Sequence, residues 1–215
     1  MKVEIWSDIA CPWCYIGRRR FEKALDKFDH SDKVEVIWRS FQLDPDAPGD
    51  YPGTVNDMLV QRYGVSREQA ASMNARVTAL AAQEGLEYHM EWARPVNSMD
   101  AHRLLHLAYD YHLQSEMKER IQKAYFTEGL LISDVDTLVK LGVEVGLDAV
   151  EVRRMLAGND YRADVLLEHR RAVELGSNGV PFFVFDQKYA VSGAQPAELF
   201  VTALERAWSD SQESK

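Results

Sequence analysis

The sequence predicts an α/β fold: a central mixed sheet in the order β-α-β-α-β-β-α, interrupted by an inserted all-helical domain. Three observations predict it. A strand–helix–strand pattern fills about the first forty residues. Roughly a hundred residues with helical periodicity follow it. A helix, two short apolar runs and a last helix then close the chain. On this reading residues 1–53 and 159–215 form one domain, and 54–158 form the inserted helical domain.

Each element has its own signal. Val3 and Ile5 alternate with charged residues and predict a short first strand. Gly17, Phe21, Ala24, Leu25 and Phe28 recur at three- and four-residue spacing, which makes one apolar helical face. "KVEVIWRSFQL" is rich in β-branched and aromatic residues and reads as the second strand. Strand, helix, strand in so short a span implies parallel strands joined by a right-handed crossover. "DPDAPGDYPG" is dense in Pro and Gly and ends the pattern.

Helices are then expected at 54–63, 66–85, 98–112, 115–128, 134–145 and 148–157. The second opens on the capping box "SREQ" at Ser66. A further helix spans 160–175 and stops at Gly176. "VPFFVFD" and "YAVSG" read as a hairpin turning at Gln187 and Lys188. Pro196 opens the last helix at a position where its missing N–H costs nothing. That helix is expected to end near Trp208, with "SDSQESK" as a disordered tail.

Composition narrows the function. The chain has 215 residues, 46% of them hydrophobic, enough for a well-buried core. Its net charge of −9 argues against nucleic acid and anionic membranes as general partners. No apolar run approaches the ~20 residues of a membrane span. "MKVEIWSDIA" lacks the apolar core of a signal peptide, so a cytoplasmic protein is expected, in which thiols are kept reduced.

The two cysteines of the chain stand together in "SDIACPWCYIG". Pro12 suits the first helical position, which makes Cys11 the N-cap. Its sulfur is then expected to face the free N–H groups and positive end of the helix, which favour the thiolate and lower its pKa. Cys14 falls on the apolar side and is expected to be the less accessible thiol. An exposed, activated thiolate beside a buried one suits disulfide exchange: Cys11 attacks and Cys14 resolves. Zinc is the weaker reading, because a closed site needs four ligands and there is no second CxxC. His102 and His106 in "HRLLH" lie one turn apart, but Arg103 stands where a zincin carries Glu. No metal is therefore expected.

Other residues carry weaker signals. Pro181 in "GVPFFVF" opens a strand, and spacing alone does not choose between cis and trans. Arg18, Arg19 and Arg20 read as a solvated helix face. The loop at 92–100, "WARPVNSMD", is the best candidate in the helical block for facing a substrate.

"CPWCYIGRRRFEKAL" after a first strand, "FQLDPDAP", "NSMDAHRLLHLA" and "GVPFFVF" together resemble the DsbA family of thioredoxin-fold oxidoreductases, most closely its cytoplasmic FrnE-like subgroup. The resemblance covers nearly the whole chain. It implies a thioredoxin-like fold and a thiol–disulfide oxidoreductase or isomerase, with Cys11 as nucleophile and Cys14 as resolving thiol. It also implies that Pro181 is cis beside the pair and that Val180 offers backbone hydrogen bonds to an extended substrate. Pro12 and Trp13 join the substrate-binding set, as do Asn97, Met99, Asp100 and His102 from a helical-domain motif facing the cleft. The best-known members carry a signal peptide and a His between the cysteines, where this chain has Trp13. Glutathione-dependent isomerases and kappa-type transferases resemble the chain in layout but typically have Ser for the nucleophilic Cys. They supply the alternative activity, on an aromatic or polyketide-like small molecule. No bound cofactor is expected, with glutathione the one candidate reductant or co-substrate. The expected partners are a disulfide-containing protein or a small-thiol substrate, on a monomer or a homodimer.

Overall fold

A computed structural model describes residues 1–48 and 51–213. Gly49 and Asp50 of the Pro/Gly-rich stretch, and the last two residues of the expected tail, lie outside the described residues. The chain divides into two compact units, Met1–Leu43 with Leu166–Lys215, and Asp44–Val165. The sequence patterns drew the insertion at 54–158. Side-chain bonds from Asn97 to the carbonyls of Pro45 and Ala47 tie the start of the Pro/Gly-rich stretch to the second unit.

The first unit holds β1 (Lys2–Ser7), α1 (Pro12–Leu25) and β2 (Glu35–Ser40). It also holds most of α8 (Arg162–Glu174), with β3 (Phe182–Phe185), β4 (Tyr189–Ser192) and α9 (Ala197–Glu213). The sheet has four strands in the order β2-β1-β3-β4. β1 and β2 are parallel, as the crossover requires, with Ile5 opposite Trp38. β3 runs antiparallel to both β1 and β4, so the sheet is mixed. The hairpin turns at Asp186 and Gln187, one residue before the expected pair. Both have positive φ, the signature of a type I′ turn, and Lys188 N–H closes it on the Phe185 carbonyl at 3.0 Å.

One face of the sheet is apolar. Val3, Ile5, Trp38, Phe183 and Phe185 pack there against Phe21, Ala24 and Phe28 of α1 and Phe200, Leu204 and Ala207 of α9. The Phe21 ring centroid lies 5.6 Å from Phe183, 6.2 Å from Phe185 and 5.8 Å from Phe200. Such aromatic contacts add about 0.5–1.5 kcal/mol each beyond area burial.

The opposite face mixes apolar packing with charge. Trp6, Phe41, Ala172, Phe182 and Val184 form its core. Glu4, which points to this side, is only 2% exposed. Arg39 donates to Glu4 from Nε at 2.9 Å and from Nη2 at 2.7 Å, and to Glu168 from Nη1 at 2.8 Å. Glu168 also accepts the Ser40 N–H at 2.6 Å. Burial works against the Arg39 charge, but Glu168 and Glu4 outweigh it and hold its pKa above the usual arginine value.

The second unit is helical: α2 (Val55–Tyr63), α3 (Arg67–Gln83), α4 (Met99–Asp110), α5 (Gln114–Phe126), α6 (Val135–Val145) and α7 (Ala149–Ala157). Both α2 and α3 start on capping boxes, Thr54 with Asp57 and Ser66 with Gln69. α4 packs on α5, α6 and α7. Arg103 of α4 is buried and donates to the carbonyls of Leu156, Met155 and Gly158, which closes the C-terminal end of α7. The same side chain binds Asp100 at 2.8 Å. α9 continues to Glu213 instead of stopping near Trp208, and its Asp210 accepts the Tyr189 hydroxyl of β4. Those residues of the expected disordered tail are therefore helix, anchored to the sheet.

Candidate active site

The site begins where β1 ends. Cys11 is the N-cap of α1, in extended backbone at φ −93° and ψ 112°, and Pro12 opens the helix. The Cys14 N–H bonds the Cys11 carbonyl at 3.0 Å. Here the structure corrects two expectations. The Cys11 sulfur makes no capping bond to the helix N–H groups. It lies instead 3.8 Å from the Val180 carbonyl, to which the thiol donates. Nor is Cys11 exposed: Cys11 is 4% and Cys14 1% exposed, so only the order of accessibility is as expected. The exposed member of the motif is Trp13, at 40%. Neither cysteine is in a disulfide, and the two approach each other to 3.3 Å.

The second wall comes from the segment before β3. Ser177 Oγ donates to the Gly179 carbonyl at 2.7 Å and shapes that loop. The Val180–Pro181 peptide is cis, the geometry the family resemblance implies. Among the described residues the half-buried Val180 N–H has no hydrogen-bond partner. The Pro181 carbonyl accepts the Gly193 N–H at 2.8 Å. Arg20 of α1 donates to the next carbonyl in that loop, Ala194, at 2.6 Å. The arginine run is therefore not a solvated face. Arg18 binds Glu22 at 2.7 Å and lies over the Trp38 ring, while Arg19 binds Glu22 at 2.8 Å and lies over Tyr15.

The structure thus brings Cys11, Pro12, Trp13, Cys14, Val180 and Pro181 together within one unit. Asn97, Met99, Asp100 and His102 belong to the helical unit. Asn97 spends its side-chain N–H donors on Pro45 and Ala47, and its oxygen accepts the Met99 N–H at 2.9 Å. Asn97, Met99 and Asp100 line a cavity of about 250 Å³ with Pro45, Ser133 and Arg162. His102 is fully buried. Trp92, in the loop singled out for substrate, stacks on His89 with ring centroids 3.9 Å apart. No group of three or more His, Cys, Asp or Glu is placed to hold a metal among the described residues. No helix among them is long and apolar enough to cross a membrane.

Two residues of this site escaped the sequence patterns. In the sequence Gly17 reads as one more position of the apolar face, although a glycine inside a helix costs about 1 kcal/mol against alanine. That cost was the available signal. Arg20 was lost in a run of three like charges, and its carbonyl partner is 174 residues away.

Comparison with known proteins agrees with this geometry. The family model for a DSBA-like thioredoxin domain matches residues 2–205. The uncharacterised protein YwbO of Bacillus subtilis (strain 168) is 30% identical over 217 residues, covering 99% of this chain and 98% of that protein. The crystal structure of the probable DsbA oxidoreductase SCO1869 from Streptomyces coelicolor superposes with a TM-score of 0.93 at 47% identity, covering 97% of this chain and 90% of that one. The cytosolic disulfide reductase DsbM from Pseudomonas aeruginosa shares the fold, with a TM-score of 0.67 at 19% identity and coverage of 96% and 98%. The chain belongs to the DSBA-like thioredoxin-domain family and is an enzyme of its DsbA-like oxidoreductase class.

Proposed function

We propose that the protein exchanges disulfides through Cys11 and Cys14. The carrying observation is the pair of thiols, not joined by a disulfide, 3.3 Å apart at the start of α1. The Cys11 thiolate attacks a substrate disulfide; a Cys11–substrate bond forms and the other substrate sulfur leaves as a thiolate, taking up a proton. Cys14, losing its proton, then attacks the Cys11 sulfur. The substrate departs reduced, and the two electrons it gained leave a Cys11–Cys14 disulfide. Run backwards, the same steps oxidise a dithiol.

The buried position of Cys11 favours small disulfides or exposed, extended segments over disulfides inside folded domains. An extended segment would pair its carbonyl with the open Val180 N–H, while Pro12 and Trp13 border the approach. Cytoplasmic location, with glutathione returning the pair to the dithiol form, completes the reading. It would be contradicted by recovery of the protein outside the cytosolic fraction, or by a Cys11–Cys14 disulfide inert to glutathione.

Trapping tests the roles. Cys14→Ser should accumulate a mixed disulfide with substrate at Cys11, visible by mass, because nothing resolves it. Cys11→Ser should form no adduct and lose exchange. Full exchange activity in Cys11→Ser would sink the proposal.

A further inference from the structure

Gly17 lies inside α1 with ordinary helical backbone, so no dihedral angle requires a glycine there. Glycine is also among the least favourable residues within a helix. What requires it is space. A Cβ at this position would lie 2.9 Å from Pro181 Cγ and 3.5 Å from both Cα and Cβ of Ala194. Carbon atoms in contact sit about 3.5–4.0 Å apart, so the Pro181 contact is closer than any side chain allows.

The neighbours are not free to retreat. Pro181 Cγ belongs to a ring closed onto the backbone. The Pro181 carbonyl is bonded to Gly193 N–H at 2.8 Å. The next residue in that loop, Ala194, is held to α1 by Arg20 at 2.6 Å. One residue before Pro181, the Val180 carbonyl reaches the Cys11 sulfur at 3.8 Å, near the limit of a hydrogen bond to sulfur. A shift of a few tenths of an ångström at Pro181 would be passed directly to Val180.

We propose that Gly17 and Arg20 are positioning residues that seat the Val180–Pro181 segment against α1. Gly17 provides the room for Pro181, and Arg20 holds the loop behind it. The seat fixes where the Val180 backbone stands relative to Cys11, and so governs the docking of an extended substrate more than the thiol chemistry itself. This inference rests on the dithiol reading above.

The test compares two substrates on the same protein: a short extended peptide carrying a disulfide, and a small aromatic disulfide with no peptide backbone. Gly17→Ala should lower the ratio of kcat/KM for the peptide to kcat/KM for the small disulfide by about tenfold, or about 1.4 kcal/mol. The change should lie mainly in the peptide KM. Arg20→Gln, which adds no atom to the packed gap, should lower the same ratio by about threefold. A merely structural role would depress both substrates alike and leave the ratio unchanged. An unchanged ratio in both variants, with an active wild type, overturns the inference alone. If Gly17→Ala does not fold, an unchanged ratio in Arg20→Gln has the same force. A wild type inert to both disulfides overturns the dithiol reading and the inference with it.

Discussion

The two faces of the sheet are held by different physics. On the face covered by α1 and α9, Val3, Ile5, Phe183 and Phe185 meet Phe21 and Phe200 in an aromatic and aliphatic cluster. On the other face, strand residues one step away in sequence bury a carboxylate, Glu4, against Arg39. The apolar face draws on area and shape, terms nearly indifferent to pH and salt. The charged face draws on pairing, and each ion there is secure only while its partner remains. The difference matters for the site, because α1, which carries both cysteines, rests on the apolar face.

Mutation should separate the two faces. The largest effect is expected from Phe21→Ala, which empties the centre of the aromatic cluster and should cost about 3–5 kcal/mol in urea unfolding. A loss under ~1 kcal/mol would mean that α1 is not anchored there. Arg39→Ala comes next. It leaves Glu4, with its side chain only 3% exposed, without its closest partner. Breaking a buried pair costs about 3–5 kcal/mol, and the 25% exposure of the Arg39 side chain lowers the expectation to about 2–3 kcal/mol. Unlike the Phe21 loss, this one should be largely recovered when Glu4→Gln is added to Arg39→Ala, because the second change removes the buried carboxylate that needs a counter-charge. An equal loss with and without Glu4→Gln would contradict the pairing account. Arg171→Ala should do least. Its side chain is 44% exposed and its contact to Glu4 is 3.6 Å long, which suggests less than about 1 kcal/mol.

The same contrast explains what was legible in the sequence. Apolar periodicity found α1, and β-branched and aromatic runs found β2 and the β3–β4 hairpin, because burying those side chains is what forms the elements. The "SREQ" box marked the start of α3 correctly because capping is local in sequence. Glu4 was not legible as buried. Alternation reads a charged residue as facing water, and its partner Arg39 lies 35 residues on. The Cys11 sulfur was misplaced for the same reason. Local helix chemistry pointed it at the α1 N–H groups, while the group it meets, the Val180 carbonyl, is 169 residues away. The extension of α9 to Glu213 depended likewise on a distant contact, from Tyr189 to Asp210. CPWC and the downstream Val-Pro were recognisable as motifs, but the seat built by Gly17 and Arg20 appears only once the chain is folded.

The most direct measurement is a redox titration of the Cys11–Cys14 couple in defined glutathione buffers, with thiols trapped by alkylation and read by mass. A reversible two-electron transition between dithiol and an intramolecular disulfide is the predicted result. Its midpoint relative to the glutathione pool gives the direction of electron flow, each 30 mV corresponding to about 1.4 kcal/mol. Failure to form a Cys11–Cys14 disulfide under any buffer, with only a glutathione adduct on Cys11, would contradict the dithiol mechanism.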